Sequence, residues 1–184
     1  MAIYSVVIKP DAALSKRMMG LMRGLKARYG ISRAMEDPKG PHISILYVGE
    51  VEFERDSLEK MREVCRRHNP IKLTIDGIGY FMKRTGRTRN YVVYLRPTRP
   101  KQLVELYKEL KRSFRVRAST GHPFFPHFSI ARGDIDKRIF YSILKDCRNL
   151  DFKAQFTVNC LHLCTWEGRG RPKRWDFAKI PLGE

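Results

Sequence analysis

Hydrophobic positions along the chain switch repeatedly between a period of two and a period near three and a half, which predicts alternating strands and helices. The run Tyr4 to Lys9 is β-branched and stops at Pro10, as a strand should. Leu14, Met18, Leu21, Met22 and Leu25 then form the stripe of an amphipathic helix that closes near Gly30. Gly20 and Gly24 lie inside it; Lys16, Arg17, Arg23, Lys26 and Arg28 exclude a membrane helix, so close packing against a sheet is the expected use of those glycines. His42 to Val48 reads as a strand, and Leu58, Met61 and Cys65 mark a second helix ending near Asn69 and Pro70. Two further strands, Ile71 to Phe81 and Tyr91 to Leu95, are joined by a basic loop.

The second half repeats this order. Leu103, Leu106, Tyr107 and Leu110 mark a helix, His127 to Ala131 a strand, and Ile135, Ile139, Ile143 and Leu144 another helix. Phe152 to Trp166 and Trp175 to Ile180 read as two strands, again joined by a basic loop. The echoes are in register. Pro41-His42-Ile43-Ser44-Ile45 matches Pro126-His127-Phe128-Ser129-Ile130 at an offset of 85, and Tyr4 to Pro10 matches Tyr91 to Pro97 at an offset of 87. A unit that cannot cover its own sheet packs against its copy. The expected fold class is α+β: residues 1–184 as a single bilobal domain, with two antiparallel or mixed sheets facing each other across a cleft and helices outside.

Composition sharpens this picture. The 184 residues are 42% hydrophobic, enough for a core, and 37 Lys+Arg against 19 Asp+Glu leave a net charge of +18. A folded chain that basic calls for a polyanionic partner, most often nucleic acid. No run approaches a membrane span, the N-terminus reads as a strand and not a signal peptide, and Cys65, Cys147, Cys160 and Cys164 are too few and scattered for a disulfide framework. A soluble, reduced, cytoplasmic protein is expected, with RNA as partner, no membrane association and a monomeric state.

Candidate chemistry lies in the doubled motif. Side chains two apart on a strand share a face, so His42 and Ser44 point together, as do His127 and Ser129. Meeting across a cleft, two imidazoles with unperturbed pKa near ~6.5 can serve as general acid and general base, while the hydroxyls hydrogen-bond a phosphate. Arg132, five residues after His127, falls on the opposite face if the strand runs unbroken, a parity that need not hold before Gly133. Zinc is the competing use of two histidines, but the ligand spacing of metal sites is missing. A serine nucleophile lacks the Gly-x-Ser-x-Gly turn and a third triad member.

At these residues the chain resembles the two-histidine phosphoesterase superfamily, and within it the RNA 2′,3′-cyclic phosphodiesterases, also called 2′-5′ RNA ligase-like proteins. The resemblance spans essentially the whole chain. It implies a water-filled cleft between two lobes and no metal or other cofactor. It further implies His42 as the acid that protonates the departing 3′ oxygen, and His127 as the base that activates water. Ser44, Ser129 and Arg132 would hold the phosphate. Tyr47 stands at the position matching Arg132, so the site should be chemically asymmetric. The implied activity is hydrolysis of a terminal 2′,3′-cyclic phosphate to a 2′-phosphate. Alternatives in the same site are 2′-5′ ligation and cleavage of 2′-5′ linkages or cyclic oligonucleotides; a non-catalytic RNA-binding module is the alternative of a different class.

Basic residues recur in matched places and suggest a phosphate-backbone track: Arg33 and Lys39 before the first motif, Arg115 and Arg117 before the second, Lys83, Arg84, Arg87 and Arg89 on one hairpin, and Arg169, Arg171, Lys173 and Arg174 on the other. Phe124, Phe125 and Tyr47 are candidates to stack on a base, with core packing as the competing use; core packing is the expected place of Phe81.

Overall fold

Helix α1 (Ala12–Tyr29) shows how local signals set an element. Asp11 caps it, its Oδ1 accepting from the Leu14 N–H at 2.8 Å, and Gly30 ends it in the left-handed region at φ 70°. Leu14, Met18, Met22 and Leu25 are buried as the stripe predicts. Gly20 and Gly24, however, are exposed; no neighbour beyond the helix comes within 4 Å of a Cβ built at Gly24, and at Gly20 only an arginine tip does. Close packing is not what these glycines serve.

The structure is a computed structural model that describes residues 2–50, 55–85, 88–114, 124–147, 150–167 and 178–183. In chain order the remaining elements are β1 (Ala2–Ile8), β2 (Ile43–Glu50), α2 (Arg55–Arg66), β3 (Ile71–Thr85), β4 (Thr88–Pro97), α3 (Lys101–Ser113), β5 (Phe128–Arg132), α4 (Lys137–Cys147), β6 (Lys153–Val158), β7 (Cys160–Glu167) and β8 (Ala178–Pro181). They form two four-stranded sheets, β2-β1-β7-β8 and β5-β4-β3-β6, with every neighbouring pair whose register is given antiparallel. The class is α+β, two sheets across a cleft with helices outside. No helix among the described residues is long and apolar enough to cross a membrane.

The two halves exchange strands. With β4, the echo of β1, taken as the opening strand of the second half, β3 of the first half pairs with β4 of the second, while β7, from the second, pairs with β1 of the first. Helices follow the same rule: α1 packs beside β5, and α3 beside β2. The single strand expected from Phe152 to Trp166 is therefore two strands in different sheets, β6 on β3 and β7 on β1, broken at Asn159. Asn159 turns its carbonyl to the Leu182 N–H at 2.8 Å, outside either of those ladders. The buried positions shift with the break, from Phe156 and Val158 to Leu161 and Leu163, which is a change of parity.

Both motif strands carry the same register. Val7 faces Ser44 and Val6 faces Leu46; Tyr94 faces Ser129 and Val93 faces Ala131. These pairs coincide at the offsets of 87 and 85 seen in the sequence. One step on β1 or β4 thus matches two on the partner, a β-bulge that leaves Ile45 in the first copy and Ile130 in the second as the extra residue.

Candidate active site

His42 and His127 each lie one residue before the first residue of a motif strand. Each ring is anchored the same way, His42 Nδ1 2.8 Å from the Gly40 carbonyl oxygen and His127 Nδ1 3.0 Å from that of Phe125. A carbonyl only accepts, so Nδ1 carries the proton and donates, which leaves Nε2 as the nitrogen free to exchange protons. Both rings line one cleft of about 560 Å³, together with Ser44 and Ser129.

Arg132 lines the same cleft. Without interruption, alternation would send it to the face opposite His127. The bulge at Ile130 inserts one residue, so Ile130 and Ala131 are both buried and Arg132 returns to the face of Ser129. In the first copy the same device buries Ile45 and Leu46 in succession and exposes Tyr47. The two equivalent positions thus carry a cation and a phenol.

A segment between α1 and β2 closes one wall. Ser32 and Arg33 donate their N–H groups to Asp134 Oδ2 at 2.7 and 2.9 Å, and Arg33 Nη1 donates to the Gly133 carbonyl at 3.1 Å. Gly133 has φ +80°, and a Cβ there would lie 2.6 Å from Arg33 Cδ. Further along, Asp37, whose side chain is only 7% exposed, pairs with Arg132 and lies 3.5 Å from Lys39 Nζ. Asp37 Oδ1 also accepts from the Lys39 N–H at 3.0 Å. Arg33, Glu36, Asp37 and Lys39 all line the cleft. Glu36 and Asp37 were not singled out in the sequence; the signal was an acidic pair between Arg33 and Lys39, a few residues before Pro41-His42.

Neither imidazole keeps its ordinary pKa, contrary to the sequence-based expectation. Burial pushes His42 down to about 4, and the neighbouring Lys39 and Arg132 charges act in the same direction; the Gly40 hydrogen bond and Asp37 oppose them. His127 is lowered by burial and by Arg132, against the Phe125 hydrogen bond. Both shifts favour the neutral imidazole at pH 7. Among the described residues, no three His, Cys, Asp or Glu side chains are grouped to hold a metal ion.

Aromatic rings surround His127. Phe81 meets it edge-on at 5.0 Å between centroids, Tyr94 lies at 5.4 Å, and Phe125 packs on both of those rings at 5.5 and 5.8 Å. Gly79 makes room, since a Cβ there would sit 2.5 Å from the Tyr94 ring. Phe81, expected in the core, instead braces the histidine.

The other candidates divide. Phe125 is 43% exposed, but Phe124 is buried and stacks on Tyr107 of α3 at 4.4 Å, so it is a core residue and not a base platform. Tyr47 is exposed outside the residues that line the cleft. Arg89 is exposed on β4, opposite Arg84 of β3, and is not among the described residues that line the cleft; Lys83 lies opposite Asn90 in the same ladder. The side chains of Lys83 and Arg84, and all of Arg87, Arg115, Arg117, Arg169, Arg171, Lys173 and Arg174, lie outside the described residues.

Two antiparallel sheets, each presenting a His-x-Ser strand to one cleft, define the two-histidine phosphoesterase class. The chain belongs to the 2′-5′ RNA ligase superfamily, whose profile matches residues 10–170. No curated protein matches at the sequence level. Solved structures share the fold over nearly full length. Thermus thermophilus TT0787 is 17% identical with a TM-score of 0.68, covering 100% of this chain and 98% of that one. Escherichia coli LigT complexed with 3′-AMP is 17% identical with a TM-score of 0.60, covering 98% of each. Kluyveromyces marxianus Usb1 is 13% identical with a TM-score of 0.55, covering 98% of each.

Proposed function

We propose that the protein is a metal-independent RNA 2′,3′-cyclic phosphodiesterase that opens a terminal cyclic phosphate to a 2′-phosphate. The observation that carries this reading is the pair of equivalently anchored imidazoles, His42 and His127, lining one cleft with Ser44, Ser129 and Arg132. His127 Nε2 takes a proton from water as the water oxygen attacks phosphorus in line with the 3′ oxygen. The bond from phosphorus to the 3′ oxygen breaks, and protonated His42 gives its Nε2 proton to that oxygen. The products are a 2′-phosphomonoester and a 3′-hydroxyl, and solvent returns the two rings to their starting protonation states. Ser44 and Ser129 hydrogen-bond the non-bridging oxygens, and Arg132 balances the charge that builds on them.

A bound 3′-AMP in LigT supports a nucleotide-sized ligand for this cleft. The matched family's description supports 2′-5′ ligation as a second reading, since it is the reverse of a phosphodiester cleavage that the same side chains would serve. The deciding experiment incubates the protein, with chelator, with a short RNA ending in 2′,3′-cyclic phosphate. A 2′-phosphate product is expected. His42→Ala and His127→Ala should each slow turnover by ~10²–10⁴-fold or more while the fold persists. A near-wild-type rate in either variant, or strict metal dependence, would refute the mechanism.

A further inference from the structure

A second groove, of about 720 Å³, lies between β3 and the C-terminal half of α4 and shares no lining residue with the cleft. Its rim carries two tyrosines, Tyr80 on β3 and Tyr141 on α4, 51% and 52% exposed. Both are braced by one fully buried ring. Phe140 meets Tyr80 edge-on at 5.5 Å and Tyr141 at 5.2 Å, and Tyr91 supports it at 4.7 Å. Two half-exposed rings packed on the same buried ring thus present their remaining faces beside one groove.

The groove's charged lining residues are both cationic, Arg96 and Lys145. Arg96 is held in place, its Nε donating to the Asp76 carbonyl at 3.2 Å, where β3 bulges between Ile75 and Ile78 and Gly77 adopts φ +74°. Asp146, beside Lys145, pairs with Arg28 and Tyr29, and Asp151 pairs with Lys153; Asp76, next to Gly77, is exposed and not among the groove's lining residues. Flat rings and cations lining one groove suit a ligand that is itself a row of bases on a phosphate backbone.

We propose that this groove is an exosite for single-stranded RNA, with Tyr80 and Tyr141 stacking on bases and Arg96 and Lys145 meeting phosphates. It rests on the RNA reading of the cleft for the class of its ligand, but not on the cleft's chemistry. An exosite of this kind recognises the body of an RNA whose end occupies the cleft.

The test measures binding of a fluorescent ten-nucleotide RNA ending in a plain 3′-hydroxyl, so that no cyclic phosphate is required. The Tyr80→Ala/Tyr141→Ala double variant should bind at least about tenfold more weakly, Tyr80→Phe/Tyr141→Phe should bind like the parent, and Arg96→Gln/Lys145→Gln should reduce the salt dependence. Turnover of a mononucleoside 2′,3′-cyclic phosphate, too short to reach the groove, should be the same in all of them. An unchanged Kd in the alanine variant overturns the exosite. So does light scattering that shows a parent dimer broken by the alanine variant with RNA affinity intact, because the groove would then hold a second copy of the chain. A parent protein that binds the RNA but turns over no cyclic phosphate sinks the cleft reading and leaves the exosite standing.

Discussion

Asp37 and the two imidazoles decide how the cleft answers to pH and to mutation. With Nδ1 tied to a carbonyl, each ring presents Nε2, and the proposed mechanism needs His127 neutral and His42 protonated. Since His42 is held at about 4 and His127 below 6.5, that mixed state in the free protein is most populated on the acid side of pH 6.5. A bound anionic phosphate favours both imidazolium forms and moves the optimum upward. A pH series should therefore place the maximum of kcat/KM below 6.5 and that of kcat higher; a kcat/KM still rising at pH 8 would contradict the lowered imidazole pKa values. Asp37, nearly buried between Arg132 and Lys39, holds two cations that line the cleft. Asp37→Asn should lower kcat/KM about tenfold to a hundredfold, the order expected for losing a charge-assisted contact, with part of it restored by Asp37→Glu. Steady-state kinetics at fixed pH checks this.

At the scale of elements, the bulged strand pair is the device that matters. Alternation alone groups His127 with Ser129; the extra residue at Ile130 adds Arg132 to that face. The β3–β4 pair contributes through Gly79, which faces Tyr94 in register. Gly79→Ala puts a methyl 2.5 Å from the Tyr94 ring, which must move and take the Phe81 and His127 contacts with it. Overpacking of this kind costs about 1–3 kcal/mol. The variant should stay folded, melt several degrees lower and lose more activity than that stability change explains, measured by thermal denaturation beside turnover. A full loss of structure would mean the aromatic cluster is chiefly a core.

For the whole molecule, the surplus of positive charge sets how the proposed RNA ligand would be gathered. A net +18 attracts polyanions from every side, and each phosphate neutralised on a single strand contributes a slope of about −0.7 in log affinity against log salt. Four such contacts predict about a fiftyfold loss of RNA affinity between ~50 and ~200 mM salt. Titration of one oligonucleotide at several salt concentrations measures the slope; an affinity indifferent to salt would remove the electrostatic account. The strand exchange matters at this scale too. Because each half completes the other's sheet, neither motif strand belongs to a unit that could close alone, and the two histidines are brought to the cleft by one shared core.

Much of this was written locally. The α1 stripe, its Asp11 and Gly30 caps, the two Pro-His-x-Ser-Ile strands and their offsets all depend on residues a few positions apart, where propensity and periodicity act. Tertiary structure decided the rest. Phe124 and Phe125 are adjacent and chemically alike, yet one is stacked in the core and the other braces the His127 cluster, since only the packing of α3 separates them. Arg132 reached the cleft face through a bulge, and Asp37 met Arg132 across 95 residues. Such contacts are set by which strand lies beside which, and a side chain's neighbours along the chain carry no record of that.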